Sequence, residues 1–235
     1  MEWFKMKLIK ICTIVILLIC YITIKSPIKI YAFGVYTHCY IGSLTWQENN
    51  MSKQYEQENI KAYESGIMVA DIGLLNWDKK YKIDSDSFEF KNKMVEIASR
   101  SNSKDTKLFA LGWSDHVYHD KHGSVKKVIS IDEGYRKSCL IIDKYIISQI
   151  GEITLKDLYI DCNLIRDTYK ALCNFSPTDE QIKQELDLSL NMMKLMISQV
   201  DKNLTNLEKE KAETELLMVS KNCGNKNPDS TILHF

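Results

Sequence analysis

The stretch from Ala110 to Gly123, Ala-Leu-Gly-Trp-Ser-Asp-His-Val-Tyr-His-Asp-Lys-His-Gly, decides how the rest of the chain is interpreted. If it is helical, His116 and Asp120 lie four residues apart and point to the same side. Apolar residues continue that side, so the polar pair is expected to be buried; they are Phe109, Gly112 and Trp113. A buried carboxylate beside a buried imidazole needs a partner that offsets desolvation. The spacing therefore predicts a cation site, with a solvated His–Asp pair as the alternative.

The composition predicts one helical domain. The chain has 235 residues, of which 45% are hydrophobic and 26% are charged, so it can bury a sizeable core. Only three prolines and nine glycines are present, and no segment is repeated or of low complexity. This pattern favours an all-α protein over an array of short strands.

Residues 1–32 have the features of a secretion signal. Three lysines precede an uncharged, mostly apolar run from Ile11 to Ile24, which is short for a membrane span. Ala32 is the small residue expected before the cut, although Ile30 stands where another small residue is preferred. The alternative is an uncleaved N-terminal anchor. Both interpretations predict a secreted or extracytoplasmic protein.

The charge balance argues against two classes of partner. Removing residues 1–32 takes away five of the 31 basic and one of the 31 acidic residues, which leaves 26 against 30 and a net charge near −4. Such a chain is not suited to electrostatic capture of nucleic acid or of an anionic bilayer.

The cysteines do not predict a cysteine-ligated zinc. Five remain after residue 32, an odd number without a Cys-x-x-Cys pair: Cys39, Cys139, Cys162, Cys173 and Cys223. Up to two disulfides and five thiols are both compatible with this pattern.

Three short motifs together resemble a known superfamily. They are Phe-Gly-x-x-x-His at 33–38, Ala-Asp-Ile-Gly at 70–73 after Gly66, and Ala-Leu-Gly-Trp-x-x-His-x-x-x-Asp at 110–120. In this order, after a signal-like segment, they are similar to the zinc-dependent phospholipase C and S1/P1 nuclease superfamily over roughly residues 33–150. The resemblance implies a single-domain, all-helical bundle of the phospholipase C type, with zinc ions that hydrolyse phosphodiester bonds.

The resemblance also implies a set of zinc ligands. Phe33 would stand at the new N-terminus, where its amine and carbonyl chelate one ion together with His38 and Asp120. Asp120 would bridge to a second ion held by Asp71 and His116. Asp71 would in addition take a proton from the attacking water. Plain alternatives are an ordinary helical His38 and an Asp71 that caps a segment beginning at the next residue.

Two departures from the family pattern limit the site to two ions. The family has a histidine about a dozen residues after the aspartate equivalent to Asp71, whereas this chain has Asp84 and Asp86; either could ligate zinc, but helix capping is favoured. A third ion would need further histidines. His122 follows Asp120 too closely to be a ligand of that ion and is expected at the helix end, and His119 is expected at the edge of the site. The acidic residues of Ser130–Ile150 form no His-x-x-x-acid pair; they are Asp132, Glu133 and Asp143.

The rest of the chain is expected to be scaffold. Helical spacing is seen in Phe88–Ser99 and in Leu155–Leu172, and a long amphipathic helix is predicted from Ile182 to Leu207. The long helix is expected to pack on its own domain, with a partner-binding arm as the alternative. The methionines within it are expected to serve packing; they are Met192, Met193 and Met196. Residues 221–235 are expected to form a loose tail.

These observations predict an exported protein whose domain spans residues 33–220. The expected activity is a zinc-dependent phosphodiesterase that uses two ions, with a phospholipid headgroup ester as the leading substrate and contact with a membrane surface. The alternatives are a nuclease of the same superfamily and a non-catalytic helical protein that retains part of the metal site.

Overall fold

The computed structural model describes residues 33–48, 59–72, 75–123, 125–129, 134–226 and 229, all within one compact unit, Tyr31–Phe235. Over these ranges the chain is all-helical and has no strand, which confirms the predicted class. The α-helices are α1 Val35–Glu48, α2 Ile60–Ile72, α3 Leu75–Tyr81, α4 Phe88–Ser99, α5 Lys104–His122, α6 Tyr135–Ile150, α7 Cys162–Cys173, α8 Asp179–Ser198 and α9 Asn206–Lys226. Within the described part, no helix is long and apolar enough to cross a membrane. The proposed signal at 1–32 lies outside the described residues.

Helices α2 and α5 form the centre of the core and lie against each other at two glycines. A Cβ added to Gly66 would overlap the carbonyl oxygen of Phe109, and one added to Gly112 would overlap that of Tyr63. The hydroxyl of Tyr63 donates to Asp115 across the same interface, at 2.5 Å. Because the glycines carry no side chain, the two backbones can approach closely enough to bring Asp71 and His116 together.

The opening stretch is helical as predicted. Ser103 caps α5 by accepting a hydrogen bond from the amide of Thr106, and the helix ends where the amide of Gly123 bonds to the carbonyl of His119. Phe109, Trp113 and His116 are fully buried, so the apolar side of this helix does continue into the polar pair.

The predicted long helix from Ile182 to Leu207 is wrong, because the chain forms two helices there. α8 ends at Ser198, and α9 starts only after Thr205. The backbone amide of Thr205 donates to the carboxylate of Glu208, and the Thr205 hydroxyl accepts from the backbone amide of Glu208. This reciprocal capping box, Thr-x-x-Glu, starts a new helix and is the sequence signal that the apolar periodicity concealed.

Two other predicted boundaries also change. The helix expected over Leu155–Leu172 begins only at Cys162, because Asp161 caps it by accepting from the amide of Leu164. The first residues of that range form a short 3-10 turn, Leu155–Asp157. At the other end of the domain, residues 221–226 do not form the expected loose tail, because α9 continues to Lys226.

Asp229 fixes the chain beyond α9 to the core. Its Oδ2 lies 2.5 Å from Lys91 Nζ and accepts a hydrogen bond of 2.6 Å from the hydroxyl of Ser114. All three side chains are buried. The paired charges and the hydroxyl satisfy one another where an unpaired charge would be strongly unfavourable.

The five described cysteines are thiols, and no disulfide occurs among the described residues. Met192 is half exposed, at 52%, and so does not serve packing as was expected. Met193 packs against the core, and Met196 contacts Arg136 through its sulfur.

Candidate metal centre

Four of the predicted ligands converge from three helices. Single ligand atoms of His38, Asp71 and His116 lie within 4.8 Å of one another. His38 Nε2 is 3.0 Å from Asp120 Oδ1, and His116 Nε2 is 3.9 Å from Asp120 Oδ2. The imidazoles of His38 and His116 are fully buried, with ring centroids 4.2 Å apart. The convergence expected of His116 and Asp120 therefore extends to residues far away in the sequence. Of the pair, only His116 is fully buried, because the side chain of Asp120 is 20% accessible.

Asp71 does not cap a following segment. It lies in the last turn of α2 and is 1% exposed. Neither of its carboxylate oxygens has a hydrogen-bond partner. His38 lies in the first turns of α1, so it is helical as the plain alternative had it, but its ring is completely buried and lies 4.2 Å from that of His116.

Asp86 joins these residues, and the expectation that it caps a helix is wrong. Ser87 is the N-cap of α4, where its hydroxyl accepts from the amide of Phe90. The carboxylate of Asp84 accepts from the amide of Asp86 at 3.1 Å. Asp86 Oδ1 in turn lies 3.0 Å from His116 Nε2. We call His38, Asp71, Asp86, His116 and Asp120 the His–Asp cluster.

Asp143 is a buried carboxylate whose role the sequence did not reveal. Its Oδ1 accepts from the amide of Thr37 at 2.9 Å and from the hydroxyl of Thr37 at 2.7 Å. Because Gly34 precedes α1 and offers no capping side chain, a carboxylate from α6 caps the helix that carries His38. No local motif encodes a cap that is 106 positions away.

Phe33 is fully buried beside the cluster, with its ring 6.0 Å from that of His38 in an edge-to-face arrangement. A Cβ on Gly123 would overlap the Phe33 ring, so the end of α5 closes over this residue. The signal cleavage that would free the amine of Phe33 is expected after Ala32, which lies outside the described residues. The role of Phe33 as a metal ligand therefore stays a prediction.

The buried side chains of His116, His38 and Asp71 differ in protonation because their neighbours differ. Burial lowers the pKa of His116, but the carboxylates of Asp86, Asp120 and Asp71 outweigh that effect and raise it to about 9. Burial lowers the pKa of His38 well below its usual value, and the charge on His116 adds to this. Burial also raises the pKa of Asp71 well above its usual value. In the ion-free protein, a proton on His116 thus supplies the positive charge among the carboxylates.

His119 and His122 occupy different surroundings. His119 is fully buried, with its Nδ1 3.4 Å from His38 Nδ1. His122 is the last residue of α5, as predicted, and its ring stacks on Tyr118. Only His119 lies against the His–Asp cluster.

The residues present fit a zinc site by two tests. Imidazole nitrogens and carboxylate oxygens are the donors that zinc accepts in proteins. Several of these buried atoms also have no hydrogen-bond partner; they are His38 Nε2, both oxygens of Asp71, Asp86 Oδ1 and both ring nitrogens of His116. His38 Nε2 and Asp120 Oδ1 are 3.0 Å apart without the alignment of a hydrogen bond. An ion ligated by these atoms would satisfy them, as buried polar atoms in folded proteins usually are.

Comparisons of the chain with protein-family models, with curated proteins and with solved structures find no match.

The buried carboxyl of Asp143 should make stability depend on pH. Burial raises its pKa from 3.8 to about 6, although the Thr37 hydrogen bonds act to lower it. A raised carboxyl pKa favours folding below the unfolded value, and that contribution is lost as pH rises through about 6. Asp143→Asn should therefore gain stability relative to wild type between pH 4 and pH 7, by roughly 3 kcal/mol.

Urea unfolding of both proteins in a chelator, at pH values from 4 to 7, measures this difference. Subtracting the two curves removes the contribution of Asp71, which both proteins retain. A stability difference that stays constant over this range would contradict the assignment.

Proposed function

We propose that this protein is an exported zinc-dependent phosphodiesterase of the phospholipase C type, with two ions bridged by Asp120. One observation carries the proposal: the two oxygens of Asp120 face different histidines, Oδ1 towards His38 and Oδ2 towards His116. A carboxylate placed in this way is suited to ligate one ion with each oxygen.

The separations suit two ligand sets. Ligand atoms around a tetrahedral zinc lie about 3.3 Å apart when each is about 2.0–2.1 Å from the ion. His38 Nε2 and Asp120 Oδ1, 3.0 Å apart, would serve the first ion, with the amine and carbonyl of a freed Phe33. Asp120 Oδ2, Asp71, Asp86 and His116 would serve the second ion. Asp86 supports this set because it lies where the family resemblance left a histidine missing.

The remaining residues suit hydrolysis at such a centre. Bound ions of this kind polarise a phosphoryl oxygen and lower the pKa of water. Asp71 would accept a proton from the attacking water.

A phospholipid headgroup ester remains the leading substrate, approached at a membrane surface. The net charge near −4 without residues 1–32 does not favour nucleic acid. Asp86 and Asp120 are the partly exposed members of the cluster, with side chains 12% and 20% accessible, so the substrate phosphate would reach the centre from their side.

A second candidate is a non-catalytic protein in which the ions only hold the helices together. The burial of the other three ligands favours it, because His38 and His116 are 0% and Asp71 is 1% exposed. Metal binding alone would still stabilise the fold by offsetting the buried carboxylates.

Metal analysis and hydrolysis together test the proposal. The secreted protein, purified without added metal, is expected to carry about two zinc ions per chain and to release phosphorylcholine from phosphatidylcholine vesicles. Two ions without hydrolysis of the vesicles or of single-stranded DNA would support the non-catalytic candidate, and DNA hydrolysis alone would support a nuclease. A protein without zinc that also fails to bind added zinc would end the proposal. Sequencing the N-terminus shows whether Phe33 is the first residue.

Zinc affinity should rise with pH, because zinc must displace the proton on His116. Below pH 9 the ion-free protein holds this proton, since the pKa of His116 is raised to about 9. Each proton released at binding increases the apparent affinity about tenfold per pH unit. Chelator competition between pH 6 and pH 8 measures this slope. An affinity independent of pH in this range would show that His116 is not a ligand.

A further inference from the structure

We propose that His119 is a positioning residue that fixes the tautomer of His38. Its Nδ1 accepts a hydrogen bond from His38 Nδ1–H, which leaves the lone pair of His38 Nε2 free for a cation. The inference rests on the proposed metal site. It is independent of the motif resemblance, because Ala-Leu-Gly-Trp-x-x-His-x-x-x-Asp leaves position 119 unspecified.

The contact between the two rings allows only complementary tautomers. His38 Nδ1 and His119 Nδ1 lie 3.4 Å apart, and the rings are nearly parallel, with an interplanar angle of 13°. Both side chains are fully buried, which disfavours a charge on either. A neutral imidazole has one donor and one acceptor nitrogen, so one Nδ1 must carry the proton and the other must accept it.

The opposite side of His38 decides which nitrogen carries the proton. His38 Nε2 is buried, has no hydrogen-bond partner and lies 3.0 Å from Asp120 Oδ1. A proton on Nε2 would point into the space that the proposed cation needs, whereas an unprotonated Nε2 would direct its lone pair towards the cation. The proton therefore belongs on Nδ1, where it is donated to His119.

The assignment also explains an unsatisfied atom. When His119 Nδ1 accepts, its Nε2 must carry a proton, and this nitrogen is buried without a hydrogen-bond partner. A buried donor of this kind is unfavourable and needs an explanation. Orienting a metal-ligating histidine is one, because ligating imidazoles regularly donate their other N–H to a neighbouring acceptor.

Nitrogen NMR of the secreted protein, with ¹⁵N-labelled histidine, observes the tautomers directly. In the zinc-loaded protein we expect His38 protonated at Nδ1 and His119 protonated at Nε2. A His119 ring protonated at Nδ1, or a His38 bound to zinc through Nδ1, would overturn the inference.

Variants at position 119 provide a second measurement, by chelator competition. His119→Leu removes the acceptor and should weaken zinc binding about 10- to 100-fold. His119→Asn places an amide oxygen near the former Nδ1 and should restore most of the affinity. His122→Leu, on the same helix but stacked on Tyr118, is the control and should bind zinc as wild type does.

The outcomes separate this inference from the proposed function. A wild-type protein that binds no zinc overturns both. A wild-type protein that binds zinc, with unchanged affinity in His119→Leu or with His119→Asn as weak as His119→Leu, overturns only the role of His119. A loss of stability in His119→Leu without a loss of zinc affinity would likewise show that the residue is merely structural.

Discussion

Replacing His116 by alanine should abolish zinc binding at the second ion and, with it, phosphodiester hydrolysis. His116 belongs to both groups of converging ligand atoms, one with His38 and Asp71 and the other with Asp86 and Asp120. Its removal should weaken zinc binding more than the loss of a supporting residue does, hence by more than about 100-fold. Equilibrium dialysis with zinc and a turnover assay with phosphatidylcholine vesicles measure the two effects.

The same substitution should destabilise the ion-free protein. Without the proton on His116, the carboxylates of Asp71, Asp86 and Asp120 lose the positive charge between them. Removing one partner of a buried charged group costs about 3–5 kcal/mol. His122→Ala is the matched control, since that ring lies on the same helix against Tyr118 and should affect neither zinc nor stability strongly. Unchanged hydrolysis in His116→Ala would place the activity elsewhere.

Replacing Gly66 or Gly112 by alanine should destabilise the protein, because it adds a methyl group to the closely packed α2–α5 interface. In Gly66→Ala and in Gly112→Ala, the new Cβ would overlap a backbone carbonyl of the facing helix, which no side-chain rotation relieves. Each variant should lose about 3 kcal/mol of unfolding free energy or more. Both should also bind zinc more weakly, because the helices that carry Asp71 and His116 must separate.

Gly42→Ala tests whether overlap with a backbone carbonyl, and not the loss of a glycine as such, destabilises the other two variants. Its Cβ would meet the terminal methyl group of Ile67, which can move aside. Alanine also favours a helix over glycine by roughly 0.5–1 kcal/mol, so this variant should lose little stability. Thermal or urea unfolding of the three variants compares them. If Gly66→Ala or Gly112→Ala gained stability instead, the close approach of α2 and α5 would be wrong.

The part of the site that could be predicted from spacing consists of residues that lie close together in the sequence. His116 and Asp120 are one helical turn apart, so their shared side followed from periodicity, as did the burial of His116, whereas Asp120 keeps 20% of its side chain accessible. His38 and Asp71 were assigned through the motif resemblance, and the structure brings both to the same place. The all-α class followed from composition.

Most features of the site that were not predicted depend on contacts between segments that are distant in the sequence. Asp86 has the appearance of a capping residue in the sequence, and only the position of α5 shows that it faces His116. Asp143 caps α1 from another helix, which no local pattern reports. The break between α8 and α9 was a different kind of error, since the Thr205–Glu208 capping box was visible but the apolar spacing across it was given more weight.

The buried ion pair of Lys91 has a consequence for how the chain matures. Its partner Asp229 comes 138 positions later, so burial of the Lys91 ammonium as a paired charge has to wait until that part of the chain has been synthesised. Completion of the core is thereby delayed until after translation of this region.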